Sequence, residues 1–166
     1  EHPLPIIAAV NGPARGAGSE LALACDLIVM ADDATIGFPE MGLATFVGGG
    51  ATRHLPALVG VARAKELVFT GRAVAGPEAV SLGLAVASHP IARLHEEALA
   101  LAETIAAKGP VSIALAKKLL TKSGSLDLDT VLHLEAEGVL TCMDTEDWHE
   151  GIRAFDEKRA PRFQGK

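Results

Sequence analysis

Residues 5–30 read Pro5-Ile6-Ile7-Ala8-Ala9-Val10-Asn11-Gly12-Pro13-Ala14-Arg15-Gly16-Ala17-Gly18-Ser19-Glu20-Leu21-Ala22-Leu23-Ala24-Cys25-Asp26-Leu27-Ile28-Val29-Met30. The first apolar run is short and uninterrupted and ends in Asn-Gly, the pattern of a buried strand entering a sharp turn. Small residues from Gly18 to Cys25 then predict a short helix that Asp26 closes. Leu27 to Met30 follow as a second buried strand. Strand, short helix, strand is the grammar of a layered α/β core covered on both faces.

Working outward, residues 34–38 suggest a third strand, and beyond Gly50 the pattern turns helical. Helices are expected over 62–70 and over 77–82, where Pro77 suits a first helical position and Gly83 a stop. Residues 84–88 suggest a last strand. From 90 to 108, Ile91, Leu94, Ala98, Leu101, Ala102 and Ile105 recur at helix period, and further helices are expected over 111–120, 126–140 and 146–158. The shift near residue 90 divides the chain into an α/β part, 1–89, and a helical part, 90–166. No repeat or low-complexity segment is visible.

At 166 residues the chain suits one ordinary domain. Its 49% hydrophobic and 22% charged content can build a packed core. A net charge of −6 argues against general affinity for nucleic acid or anionic membranes. The tail is locally basic, with Arg153, Lys158, Arg159, Arg162 and Lys166, and suits either a phosphate-bearing ligand or solubility. Cys25 and Cys142 have no nearby cysteine or histidine at metal-ligand spacing, so a reduced, cytoplasmic protein without a metal is expected. Asp26 and Asp32-Asp33 interrupt the best apolar stretch, so no membrane span is expected. Glu1-His2-Pro3 carries no signal-peptide pattern.

Glu20 and Glu40 stand out, each following a glycine-containing turn: Asn11 to Ser19 for the first, Ile36-Gly37-Phe38-Pro39 for the second. Glycines let backbone amides approach a ligand, and a helix starting there adds partial positive charge. Two carboxylates converging on such a site could hold one water and exchange protons with a substrate carbon. Either acid could instead be a helix-start residue. Glu20 opens a segment that is apolar all round, so burial is expected, whereas Pro39-Glu40 suits an exposed helix start. Gly48-Gly49-Gly50 adds a third flexible turn.

Other motifs carry less. Gly16-Ala17-Gly18-Ser19-Glu20-Leu21 starts like a dinucleotide fingerprint but lacks the third glycine. There is no Walker lysine, and Ser19 is not in a Gly-x-Ser-x-Gly elbow. The histidines form no i, i+4 pair and suit surface or capping roles. Asp144 or Thr145 is expected to cap the helix after it, and Lys117, Lys118 and Lys122 suit a solvated face.

The run Ile7-Ala8-Ala9-Val10-Asn11-Gly12-Pro13-Ala14, then Gly16-x-Gly18-x-Glu20-Leu21-Ala22 and Cys25-Asp26, resembles the core signature of the crotonase (enoyl-CoA hydratase/isomerase) superfamily. So do Phe38-Pro39-Glu40, Gly48-Gly49-Gly50, Leu67-x-x-Thr70-Gly71-Arg72, Ala79-x-x-x-Gly83-Leu84 and Glu150-Gly151-x-x-Ala154-Phe155-x-Glu157-Lys158-Arg159-x-Pro161. The opening Asn-Gly-Pro-Ala and the closing Glu-Lys-Arg-Ala-Pro-Arg-Phe look somewhat like relatives of methylglutaconyl-CoA hydratase.

The resemblance implies a partial spiral of ββα units over 1–89, followed by a helical region, 90–166, that assembles trimers or hexamers. It also implies acyl-CoA thioester substrates, with coenzyme A part of the substrate and no separate cofactor. Glu20 and Glu40 would be the catalytic acids of a hydratase and the Ala17 N–H an oxyanion donor. Gly16, Pro39, Phe155 and Lys158 would be further substrate contacts. Isomerase, thioester hydrolase, and a non-catalytic piece of the fold are the alternatives. The resemblance begins partway into a family-length chain, whose earlier part would supply the second oxyanion amide and most coenzyme A contacts. Thr45-Phe46-Val47 departs from the Ile-Pro usual there, which bears on the shape of the acyl pocket.

Overall fold

The computed structural model describes residues 2–166, so the first residue of the opening tripeptide lies outside them. The chain is α/β, as expected, and forms two compact units: residues 6–100, and residues 2–5 with 101–166.

In the first unit, β1 (Ile7–Val10) pairs parallel with β3 (Leu27–Ala31), which pairs parallel with β6 (Ala87–His89). Central β3 has Val29, Met30 and Ala31 essentially without exposure. A strand covered on both faces needs the uninterrupted apolar run seen in the sequence. Val29 and Met30 each contribute roughly 1.5–3 kcal/mol by leaving water. Strand β6 lies later than the expected 84–88, because Leu84 and Ala85 are packed into the core ahead of it.

A second small sheet places β4 (Thr35–Gly37) between β2 (Ala14–Arg15) and β5 (Ala73–Ala75). Between β2 and β3 runs α1 (Ala17–Leu23), and after β4 comes a tight 3-10 turn, Pro39–Leu43. Helix α2 (Ala51–Val59) was not expected. Pro56 lies inside it, and left-handed Gly50 and positive-φ Gly60 bracket it. Burial of Ala51 and Leu55 outweighs the cost of the proline. Helices α3 (Val61–Thr70) and α4 (Gly76–Ser81) follow. Arg72 links them, pairing with Glu66 at 2.5 Å and Glu78 at 2.8 Å. That guanidinium holds the Glu66 carboxyl below its ordinary range. Helix α5 (Ile91–Ala106) buries Leu94 and Ala98.

The other unit holds α6 (Pro110–Ser123), α7 (Leu128–Met143) and α8 (Glu146–Asp156). Asp127 caps α7, accepting from Thr130 N at 2.9 Å. Thr145 caps α8, accepting from Trp148 N at 3.1 Å, while Asp144 closes α7. Lys117 is less free than the sequence suggests, since its Nζ donates to Leu4 O at 2.8 Å. Lys118 and Lys122 are exposed and line a cavity together with Leu115 and Leu119 of α6 and Leu134 and Val139 of α7. Among the described residues no single helix is long and apolar enough to cross a membrane.

The last turn of α8 is closed from both sides. Arg159 N donates to Ala154 O at 3.0 Å and Lys158 N to Phe155 O at 3.2 Å, a Schellman closure with a lysine at φ 53° where glycine is usual. Arg159 is anchored on Glu150 Oε1 at 2.6 Å and Oε2 at 3.0 Å. Buried Asp147 accepts from the backbone amides of Gln164, at 2.7 Å, and Gly165, at 2.8 Å.

Candidate active site

Glu20 lies in the first turn of α1, its N–H donating to Gly16 O at 3.0 Å. Gly16 has φ 53°, a left-handed turn that lets β2 run directly into the helix. Its own N–H donates to Gly37 O at 3.2 Å, tying the start of α1 to the end of β4. Glu20 is half-buried rather than buried, and Leu21 beside it is 71% exposed. All-round apolarity misleads here because the seven-residue helix packs on one side only, through Ser19, Ala22 and Leu23.

The Glu20 carboxylate reaches across to the glycine turn. Gly48 N donates to Glu20 Oε1 at 2.5 Å, and a β-carbon on Gly49, where φ is 55°, would lie 2.8 Å from Glu20 Cβ. The turn therefore admits the side chain only because it carries none of its own. The sequence marked this turn as one that a ligand could approach. It did not reveal the bond from Gly48, which spans 28 positions.

Glu40, in the 3-10 turn directly after Pro39, is the buried member of the pair, only 8% exposed. Proline-started turns commonly face water, but this one is drawn inward by Phe38, which has 1% exposure. Glu40 Oε1 faces Gly16, while Oε2 is buried with no hydrogen-bond partner. Buried carboxylate oxygens are almost always paired, so an unpaired one is a place for a water or a ligand.

Gly16 thus joins the two acids, its carbonyl receiving Glu20 N–H and its α-carbon abutting Glu40. Ala17 is the first residue of α1 and exposed, and an N–H at that position has no intrahelical acceptor. Phe155, on α8, is 82% exposed, and Lys158 stands just beyond that helix; both belong to the other unit. Among the described residues no group of three or more His, Cys, Asp or Glu side chains could hold a metal.

Comparison with known proteins places the chain in a family. The chain matches the sequence profile described as enoyl-CoA hydratase/isomerase over residues 1–166. The crystal structure of enoyl-CoA hydratase from Bacillus anthracis is 43% identical with a TM-score of 0.96, covering 99% of this chain and 64% of that one. That of enoyl-CoA hydratase from Mycobacterium tuberculosis H37Rv is 38% identical with a TM-score of 0.94, covering 98% and 64%. Methylglutaconyl-CoA hydratase of Rattus norvegicus is 42% identical over 170 residues, 99% of this chain and 53% of that one. The chain belongs to the enoyl-CoA hydratase/isomerase family. It spans about half to two thirds of the length of these relatives.

Proposed function

We propose that the chain carries the acid–base half of an enoyl-CoA hydratase, which adds water across the double bond of a 2-enoyl-CoA thioester. The observation that carries this reading is the buried, unpartnered Oε2 of Glu40, with Glu20 one helical turn from the glycine that abuts Glu40. In this mechanism Glu20 starts as the carboxylate and Glu40 as the protonated acid. A water held between them loses a proton to Glu20 as its oxygen bonds to the β-carbon. The double-bond electrons move onto the thioester, whose oxygen becomes an enolate beside the Ala17 N–H. Glu40 then gives a proton to the α-carbon on the same face, so addition is syn. Proton exchange with solvent returns both acids to their starting states. Preorganised amides typically make the larger contribution to stabilising such an enolate.

Gly16 and Pro39 would border the acyl end. Phe155 and Lys158 would meet the coenzyme A portion from an assembled neighbour. Homotrimers or hexamers are the proposed assembly, and the exposed leucines 120, 128, 132 and 140 support it. A cytoplasmic setting suits a chain whose two cysteines, Cys25 and Cys142, are few and far apart in sequence. Isomerase and thioester hydrolase activities are the sister readings, separable by product analysis.

The test is Glu20→Gln and Glu40→Gln, assayed for hydration and for mass in solution. Each should lower turnover by roughly 10²–10⁴-fold, the usual weight of a positioned acid or base, with assembly unchanged. Turnover that neither change alters would remove both residues from the mechanism. A wild-type chain that assembles but hydrates nothing would make it a non-catalytic part of the fold.

A further inference from the structure

Ser19 has no solvent exposure and no part in the reaction above. Its Oγ lies 2.8 Å from Gly37 O and 3.0 Å from Ala14 O, and it accepts from Gly37 N at 3.2 Å. A hydroxyl has one proton and two lone pairs. The two carbonyls therefore share the proton while a lone pair takes the Gly37 amide. A side chain so enclosed and so fully engaged is no nucleophile. What matters is where its partners sit. Ser19 directly precedes Glu20, Ala14 opens β2, and Gly37 ends β4 just ahead of the turn that carries Glu40.

We propose that Ser19 is a positioning residue that fixes the Glu20 carboxylate relative to that of Glu40. This rests on the two-glutamate reading. One oxygen atom bonds both backbone polar groups of Gly37, so the first turn of α1 cannot slide along β4 without breaking those bonds. Just ahead of that turn, Gly16 N also donates to the Gly37 carbonyl, at 3.2 Å. A hydrophobic residue in place of Ser19 would leave the Gly37 amide buried without an acceptor, and the turn would shift to find one. Displacement of about 1 Å in a reacting constellation can cost on the order of 10²-fold in rate.

The experiment compares Ser19→Ala and Ser19→Cys with Leu94→Ala, a core change on α5 that lowers stability away from the glutamates. Hydration of a short 2-enoyl-CoA is measured, together with the side-chain carboxyl carbon resonances of Glu20 and Glu40 in glutamate-labelled protein. Glu20→Gln and Glu40→Gln assign those resonances. Ser19→Ala is expected to lower kcat by roughly 10–100-fold with KM within about twofold and to move both resonances. Ser19→Cys, which keeps a weaker donor, falls between, and Leu94→Ala changes neither readout. Resonances that stay in place in Ser19→Ala, or a Leu94→Ala loss of equal size, would overturn the proposal. A wild-type chain without hydration would sink the two-glutamate reading instead, and the resonances alone would then decide the positioning role.

Discussion

Oε1 of Glu40 occupies the space that a side chain on Gly16 would need, 2.7 Å from where its β-carbon would stand. Two constraints meet at this glycine. Its φ of 53° disfavours any other residue, and its missing side chain leaves room for a carboxylate. The turn that starts α1 and the seat of the second acid are therefore one feature.

Gly16→Ala should be damaging twice over. At Gly16 the backbone has φ 53° and ψ −122°, a sparsely populated conformation that costs an L-residue on the order of 1–3 kcal/mol. The methyl group displaces Glu40 besides. Hydration should fall at least about tenfold, beyond what the loss in melting temperature explains. A folded variant with full turnover would show that Glu40 needs no fixed seat.

Two nearby glycines should separate cleanly. Gly49→Ala meets Glu20 Cβ at 2.8 Å with φ 55°, whereas a β-carbon on Gly42 would find nothing within 4 Å. Kinetics on both variants should show a large loss for Gly49→Ala and turnover within about twofold of wild type for Gly42→Ala.

Thr145→Ala removes the cap of α8, exposing the Trp148 amide that its hydroxyl receives. Such caps are worth about 1 kcal/mol. For a chain of this length that corresponds to a fall of about 2–4 °C in Tm by calorimetry. No change would mean that water replaces the hydroxyl at no cost.

Glu150 predicts a pH dependence. Hydrogen bonds from Arg159, then from the Arg162 amide, lower its carboxyl from the ordinary 4.5 to about 2. A group depressed on folding adds stability that is fully present above its unfolded pKa and is lost as pH falls through its folded one. Acid scans of Tm should thus show a loss from about pH 4.5 toward 2 that Glu150→Gln lacks. Parallel curves for the two proteins would remove Glu150 from the acid response.

Leu128, Leu132 and Val139 recur along one side of α7 with exposures of 69%, 53% and 58%. Leu132→Glu should move the sedimenting mass toward the monomer if this face is covered in the assembly. An unchanged mass would place the contact elsewhere.

The sheet was legible because β1 and β3 are continuous apolar runs, although only β3 is buried as expected. Strand β1 has no fully buried residue and Ala9 is exposed, since it pairs along one edge only, with β3. The glutamate pair was legible through its glycines. Other features left little trace in the sequence. Strand β2 has two residues and β5 three, too short for any period to register. Helix α2 was hidden by Pro56, because its stability comes from burying Leu55 rather than from propensity. The contrast in burial between Glu20 and Glu40 depends on packing around Phe38, which is non-local. Ser19 looked like filler beside a motif, since its partners Ala14 and Gly37 lie on separate strands.

The order β1-β3-β6 has a consequence for the time course of folding. Residues 32–86, which include Glu40 and the glycine turn, are strung between the two neighbouring strands β3 and β6. Closing so long a loop costs entropy before the final pairing returns anything, which slows folding. The central strand stays open on one edge until that whole insertion has taken shape. Recovery of the carboxylate pair and completion of the sheet should therefore be a single late event on refolding, with no stage at which one precedes the other.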